Sequence, residues 1–204
     1  VLVDLIDRLR CPQPHGDTWL VAAASRTERR HLLDATLGCH VCGAEFALRD
    51  GALWFGDAVD ATPMPTNESE VMRAAALLSM SERGLFVLEG GWGSLASALD
   101  VLLDVDLLLV DPPLAAPTEA AGRGTLCGVG DRWPFAAASL HGVALEHATT
   151  ARLEDAVRVL RAGARLVAPA AAPLPAGVRE LARDERHWVV EKSAALVTLT
   201  RVPR

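Results

Sequence analysis

The sequence predicts an α/β protein: a mostly parallel sheet with helices on both faces, ended by an antiparallel hairpin and preceded by a small cysteine-bearing unit. Three observations carry this. From Leu85 onward short apolar runs alternate with helical segments, the pattern of a parallel sheet wound with crossover helices. The first of those runs leads into a glycine-rich turn, Glu89-Gly90-Gly91-Trp92-Gly93. Cys11, Cys39 and Cys42 crowd near the N-terminus, whereas Cys127 stands alone in an apolar run.

Composition bounds the function. Half of the 204 residues are hydrophobic, enough for a substantial core and a small second unit. A formal charge of -6 disfavours wholesale coating of nucleic acid or membrane and favours small molecules or proteins as partners. Asp4, Asp7 and Arg8 interrupt the first apolar residues, so no signal peptide is read, and no apolar run is long enough to span a bilayer. The expected location is cytoplasmic, where clustered cysteines serve a metal site better than a disulfide framework.

In chain order, Val1 to Arg10 reads as a short amphipathic helix with Leu2, Leu5, Ile6 and Leu9 on one face. Thr18 to Ser25 and Ala35 to Gly38 read as strands of a small ribbon, and 57–66, with two prolines, as a linker or strap. Asn67 caps a helix over Val71 to Met80, with Glu70 reaching back and Gly84 closing the segment. Strands are predicted at Leu85 to Leu88, Leu107 to Val110, Thr125 to Val129, Gly142 to Leu145 and Arg165 to Pro169. Helices fall at Ser94 to Leu103, Thr118 to Ala121 and Ala151 to Arg161. The terminal hairpin is placed at His187 to Lys192 and Ala195 to Arg201, and Arg179 to Glu185 read as the outer face of a surface helix. The units are 1–56, the linker 57–66, and 67–204.

The glycine turn admits two readings. Glycines let backbone approach a nucleotide-like ligand and supply positive φ, but a tight strand-to-helix turn needs them with no ligand. Asp111, after the second apolar run, stands where a ribose-binding acid is expected. In the first unit, Cys39-His40-Val41-Cys42-Gly43 is a knuckle whose two thiolates can face one tetrahedral ion. Cys11 and His15 can complete the set, with His40 the rival of His15.

Cys11-Pro12, the knuckle, and then Phe46-Ala47-Leu48-Arg49-Asp50-Gly51-Ala52-Leu53 resemble the zinc ribbon of the small activator subunits of tRNA and release-factor methyltransferases. Similar ribbons precede the catalytic domain of some rRNA guanine methyltransferases. The resemblance implies zinc held by Cys11, His15, Cys39 and Cys42, and a protein contact on the ribbon, with this chain's own second unit or with another protein. Pro14 departs from it, standing where the family has its second cysteine.

The alternating units resemble class I S-adenosylmethionine-dependent methyltransferases, which have a Rossmann-like fold. Glu89-x-Gly91-x-Gly93 is similar to the first family motif and Asp111 to the ribose acid. Asp131 precedes Trp133-Pro134-Phe135, similar to the family's Leu-Pro-Phe, and Ala156 to Leu166 resembles the passage into the fifth strand. This implies S-adenosylmethionine held by Glu89, Gly91, Gly93, Asp111, Asp131 and Trp133, with no obligatory catalytic base. The departures are Leu95 for the third glycine, Ala162 and Ala164 for Pro and Gly, and His141 for an aspartate, while Trp92 and Leu95 can narrow the pocket.

Three functions follow: methyl transfer to an unidentified acceptor, an inactive methyltransferase-like assembly subunit, or an RNA-binding module using the ribbon and a basic patch of Arg26, Arg29, Arg30 and His31. The acidic total charge disfavours the third. His147, at the end of the fourth strand, reads as a proton acceptor or as a hydrogen-bonded loop residue, and Cys127 as core.

Overall fold

The computed structural model describes residues 1–57, 59–113 and 124–194. Among them is a single mixed sheet of eleven strands, with a parallel centre and antiparallel flanks. The parallel centre is β5 (Leu85–Glu89), β6 (Asp106–Val110), β7 (Gly124–Cys127), β8 (Leu140–Ala144) and β9 (Leu160–Pro169). In space they run β7-β6-β5-β8-β9, so the chain winds outward from β5 and then returns to the other side of it. That reversal between β5 and β8 makes the topology Rossmann-like and places a crevice at the carboxyl ends of the central strands.

The innermost strands β5 and β6 are apolar runs because both faces are covered. Leu85, Val87, Leu108, Val110 and Leu126 belong to one core with α1 (Val3–Ile6) and α4 (Thr150–Val159). Phe86, Leu88, Leu107 and Leu109 belong to a second core with α2 (Glu68–Leu78) and α3 (Ala96–Leu102). Asn67 accepts the Glu70 N–H and caps α2, as its sequence predicts. Glu70 does not reach back, however, because its carboxylate pairs with Arg186. Ser79, at φ 54°, ends this helix before Gly84. Gly84 instead makes room for the His141 ring, 2.5 Å from where a Cβ would stand.

The ribbon is β1 (Leu20–Glu28), β2 (His31–Cys39), β3 (Glu45–Arg49) and β4 (Ala52–Trp54), an antiparallel meander. It is joined to the centre edge to edge, since β4 pairs in parallel with β7 through Leu53 and Leu126. The expected contact of the ribbon with the chain's own second unit is therefore a continuous sheet.

Two expectations are corrected. Val178–Arg183 is strand β10, not a helix face: it pairs antiparallel with β11 (His187–Lys192), which pairs antiparallel with β9. A register shift between Glu180 and Ala182 disturbs the alternation that would have identified it. β10 and β11 thus form an antiparallel hairpin, while Ala195 to Arg201, expected as the partner of His187 to Lys192, and the helix expected at Thr118 to Ala121 lie outside the described residues. The helix expected over Val1 to Arg10 forms only at Val3–Ile6.

Candidate functional sites at the two ends of the sheet

At the ribbon end, Cys11, His15, Cys39 and Cys42 converge, their ligand atoms all within 4.8 Å of one another. Cys11 Sγ and Cys42 Sγ are 3.8 Å apart, and His15 Nε2 is 3.4 Å from Cys39 Sγ. A tetrahedral ion with metal–sulfur bonds of about 2.3 Å has ligand–ligand edges of about 3.8 Å, so the spacing suits zinc. His15 Nδ1 lies 2.7 Å from the Gly16 carbonyl, to which its N–H donates, leaving Nε2 as the free acceptor. His40, the rival ligand, is exposed and outside the cluster.

The local chain supports this set. Gly43 at φ 70° closes the knuckle, and its N–H donates to the Cys39 carbonyl. Burial pushes the Cys11 thiol up to about 11. Burial acts on Cys39 in the same sense, but the N–H groups of Cys42 and Val41 outweigh it and the thiol is brought down to about 6. Such N–H donors favour thiolate, the form that binds metal. Bound there, zinc would cross-link the N-terminal segment to the β2–β3 turn.

The glycine turn at the carboxyl end of β5 is arranged in the opposite way. Gly90–Leu95 forms a buried 3-10 helix, and Trp92 and Leu95 are buried in the second core. Trp92 donates to the Leu145 carbonyl and meets the His187 ring edge-on at 4.9 Å. The Gly91 N–H donates to Glu146 Oε2 at 2.6 Å. A Cβ on Gly91 would fall on the Thr62 carbonyl, and one on Gly93 would stand 2.9 Å from Pro112. Met64 anchors the strap over this turn, its N–H donating to Ser94 Oγ at 3.3 Å.

Both acids of the expected cofactor site are also engaged. Glu89 is 1 % exposed; one carboxylate oxygen accepts the N–H groups of Glu146 and His147, and the other pairs with Arg152. The Arg152 guanidinium, buried as well, also donates to the carbonyls of Val129 and Gly130. Asp111, in the left-handed region at φ 45°, accepts the N–H groups of Gly128 and Val129 at 2.5 and 3.2 Å. Burial pushes both carboxyls above their usual range, against the pull of Arg152 and the N–H groups. His147 Nδ1 lies 3.5 Å from Glu89.

Of the six residues expected to hold cofactor, Glu89 and Asp111 share the field of Arg152, and Gly91 and Gly93 lie in the adjoining turn. Asp131 is exposed and accepts the Thr149 hydroxyl, whereas Trp133 is 1 % exposed within the first core. Sequence reading missed Arg152 and Thr62. A charged residue one turn into α4, on the face of Leu153 and Ala156, was the available signal for Arg152. Around the expected cofactor residues the Gly91 N–H donates to Glu146, the Thr62 carbonyl and Pro112 stand beside Gly91 and Gly93, and the Glu89 and Asp111 carboxylates accept groups of the chain itself. Two residues of the basic patch are paired, Arg26 with Asp34 and Asp50 and Arg30 with Asp4. Cys127, expected in the core, is half-buried.

No protein family and no curated protein matches the sequence. Among solved structures, the chain is similar to a protein described as a methyltransferase of antibiotic biosynthesis from Anabaena variabilis, with 16% identity and TM-score 0.41 over 50% of this chain and 44% of that one. It is similar to a chain of the complex between the Haloferax volcanii Trm112 methyltransferase activator and a methyltransferase, with 21% identity and TM-score 0.41 over 48% and 49%. It is also similar to the [4+2]-cyclase SpnF, with 11% identity and TM-score 0.46 over 62% and 66%. The matched region thus spans less than half the length of the first two. Similarity at this level assigns neither activity nor substrate.

Proposed function

We propose that this chain is a methyltransferase-like scaffold that works without S-adenosylmethionine, with a structural zinc ion in its ribbon and a role in protein assembly. The observation behind this reading is that groups at the expected cofactor site are engaged from within: Arg152 pairs with Glu89, Glu146 accepts the Gly91 N–H, and the Thr62 carbonyl lies against Gly91. A ligand entering there would have to displace a buried ion pair and a strap, and would meet no free donor on Gly91. The zinc would be held by Cys11, His15, Cys39 and Cys42 and would act as a cross-link. The units 1–56 and 67–204 would move as one body through the β4–β7 pairing. Methyl transfer keeps one feature in its favour, the Rossmann-like strand order. RNA binding is weakened by the paired arginines.

Titration of the full chain with S-adenosylmethionine and S-adenosylhomocysteine, read by calorimetry and thermal melting, tests this. The expected outcome is no heat and no shift at millimolar ligand. A native-state ligand at a hundred times its Kd stabilises by about 2.7 kcal/mol, so a shift of several degrees would restore the enzymatic reading.

A further inference from the structure

The ribbon has one covered face and one open face. Leu37, Phe46, Leu48 and Leu53 point into the first core with α1. On the other face, Ala23, Thr36, Ala47 and Trp54 are consecutive cross-strand partners, forming one uncharged row across all four strands. Val21 and Gly38 extend it by a second row, and Val21 is 62% exposed. An antiparallel sheet with one solvated face usually alternates apolar-in with polar-out. Here the middle row of outward positions is uncharged, with charged residues on either side of it, and exposed apolar surface of this kind marks contact sites.

Two charges bracket the uncharged row on β3. Glu45 and Arg49 point outward on either side of Ala47, both exposed, at opposite ends of a strand segment about 13 Å long. Neither makes an ion pair among the described residues, while the nearby Arg26, Asp34 and Asp50 are occupied with one another. A two-fold axis lying in the plane of the face and crossing β3 at Ala47 exchanges the two ends of the strand. It sets Glu45 of one copy opposite Arg49 of the other, twice, with Ala47 against Ala47 between them. The two β3 charges are complementary across this axis.

We propose that the open ribbon face is the contact between two copies of this chain, packed sheet on sheet with Glu45 and Arg49 exchanged across the two-fold. The proposal deepens the assembly reading by naming the partner, yet it is separable from it: cofactor binding by the wild type would end that reading and leave this contact untouched. Four strands spaced about 4.8 Å apart and carrying a few rows of side chains present roughly 400 Å² per copy. That is below the ~800 Å² per partner of a stable interface, so the dimer is weak and concentration-dependent.

Sedimentation velocity of the zinc-loaded full chain from about 10 to about 300 μM brackets an interface of this size. The wild type is expected to pass from monomer to dimer. Glu45→Arg and Arg49→Glu, both at exposed positions, are each expected to weaken association about tenfold or more through like-charge juxtaposition. An equimolar mixture of these two variants, and the double variant E45R/R49E, are expected to recover it. Circular dichroism melts confirm that each variant is folded. A wild type monomeric throughout, a dimer indifferent to either single variant, or a mixture that fails to recover overturns the proposal.

Discussion

The two ends of this sheet hold polar groups in opposite conditions. In the ribbon, four ligand atoms from two separate stretches of chain converge within 4.8 Å of one another, with backbone N–H groups beside the Cys11 and Cys39 thiols. At the glycine turn, three of the groups expected to meet a cofactor have internal partners: Gly91 has Glu146, Glu89 has Arg152, and Asp111 has the N–H groups of Gly128 and Val129. Convergent, unspent donors are poised for a ligand; donors satisfied from within are part of the fold. A motif in the sequence reports where such groups lie along the chain, but only their partners distinguish these conditions.

Removing metal gives the largest expected effect. If the cysteine cluster needs an ion, metal analysis after dialysis returns one zinc per chain, and chelation costs several kcal/mol, since structural zinc sites supply about 10–16 kcal/mol in isolated fingers and this ribbon retains its β4 pairing. Cys39→Ser and Cys42→Ser should each abolish stoichiometric zinc. A zinc-free chain melting at the same temperature as the dialysed one would erase the contrast between the ends.

At the other end, Arg152→Met should cost about 3–5 kcal/mol in urea denaturation, because it strands a buried carboxylate. The sign with pH is specific. Burial already raises the Glu89 carboxyl, and loss of Arg152 raises it further. The folded variant then favours protonated Glu89, so its stability is fullest below the unfolded carboxyl value and falls as pH rises through the folded one. The deficit relative to wild type should therefore be smallest in acid and widen toward neutrality. Combining it with Glu89→Gln should cost less than the sum of the two single changes. A loss under about 1 kcal/mol would show that Arg152 does not hold the crevice closed.

The legible parts of the molecule are those fixed by local chemistry. Leu85 to Leu88 and Leu107 to Val110 read as strands because a doubly covered strand must be apolar throughout. Cys39 and Cys42 were legible as a pair because a knuckle sets thiol spacing within a few residues, and the structure brings Cys11 and His15, expected with them, within 4.8 Å. What stayed hidden depends on partners distant in sequence. Arg152 meets Glu89 across 63 positions, and the Thr62 carbonyl reaches Gly91 from a stretch that reads as a strap. Glu89, Gly91 and Asp111 were located at the right end of the sheet, but their neighbours could not be read from the motif. The charges of Arg179, Glu180 and Arg183 suggested a helix face; they instead border an edge strand, where charge and a bulge discourage further pairing.

The smallest expected effect comes from the glycines, and it separates the two explanations for their presence. If Gly91 served a cofactor, Gly91→Ala would impair ligand binding and leave the unliganded chain nearly unchanged. With the Thr62 carbonyl lying where the new Cβ must go, the unliganded protein itself should lose about 1–3 kcal/mol. Gly93→Ala should lose less, because the atom it meets is a proline side chain at 2.9 Å rather than backbone. Gly130 is the control: no atom lies within 4 Å of its Cβ position and its φ is not positive, so Gly130→Ala should be neutral or stabilise by up to about 1 kcal/mol. Chemical denaturation of the three variants without ligand ranks them, and a Gly91 variant as stable as the Gly130 one would mean that the strap yields and the crevice can open.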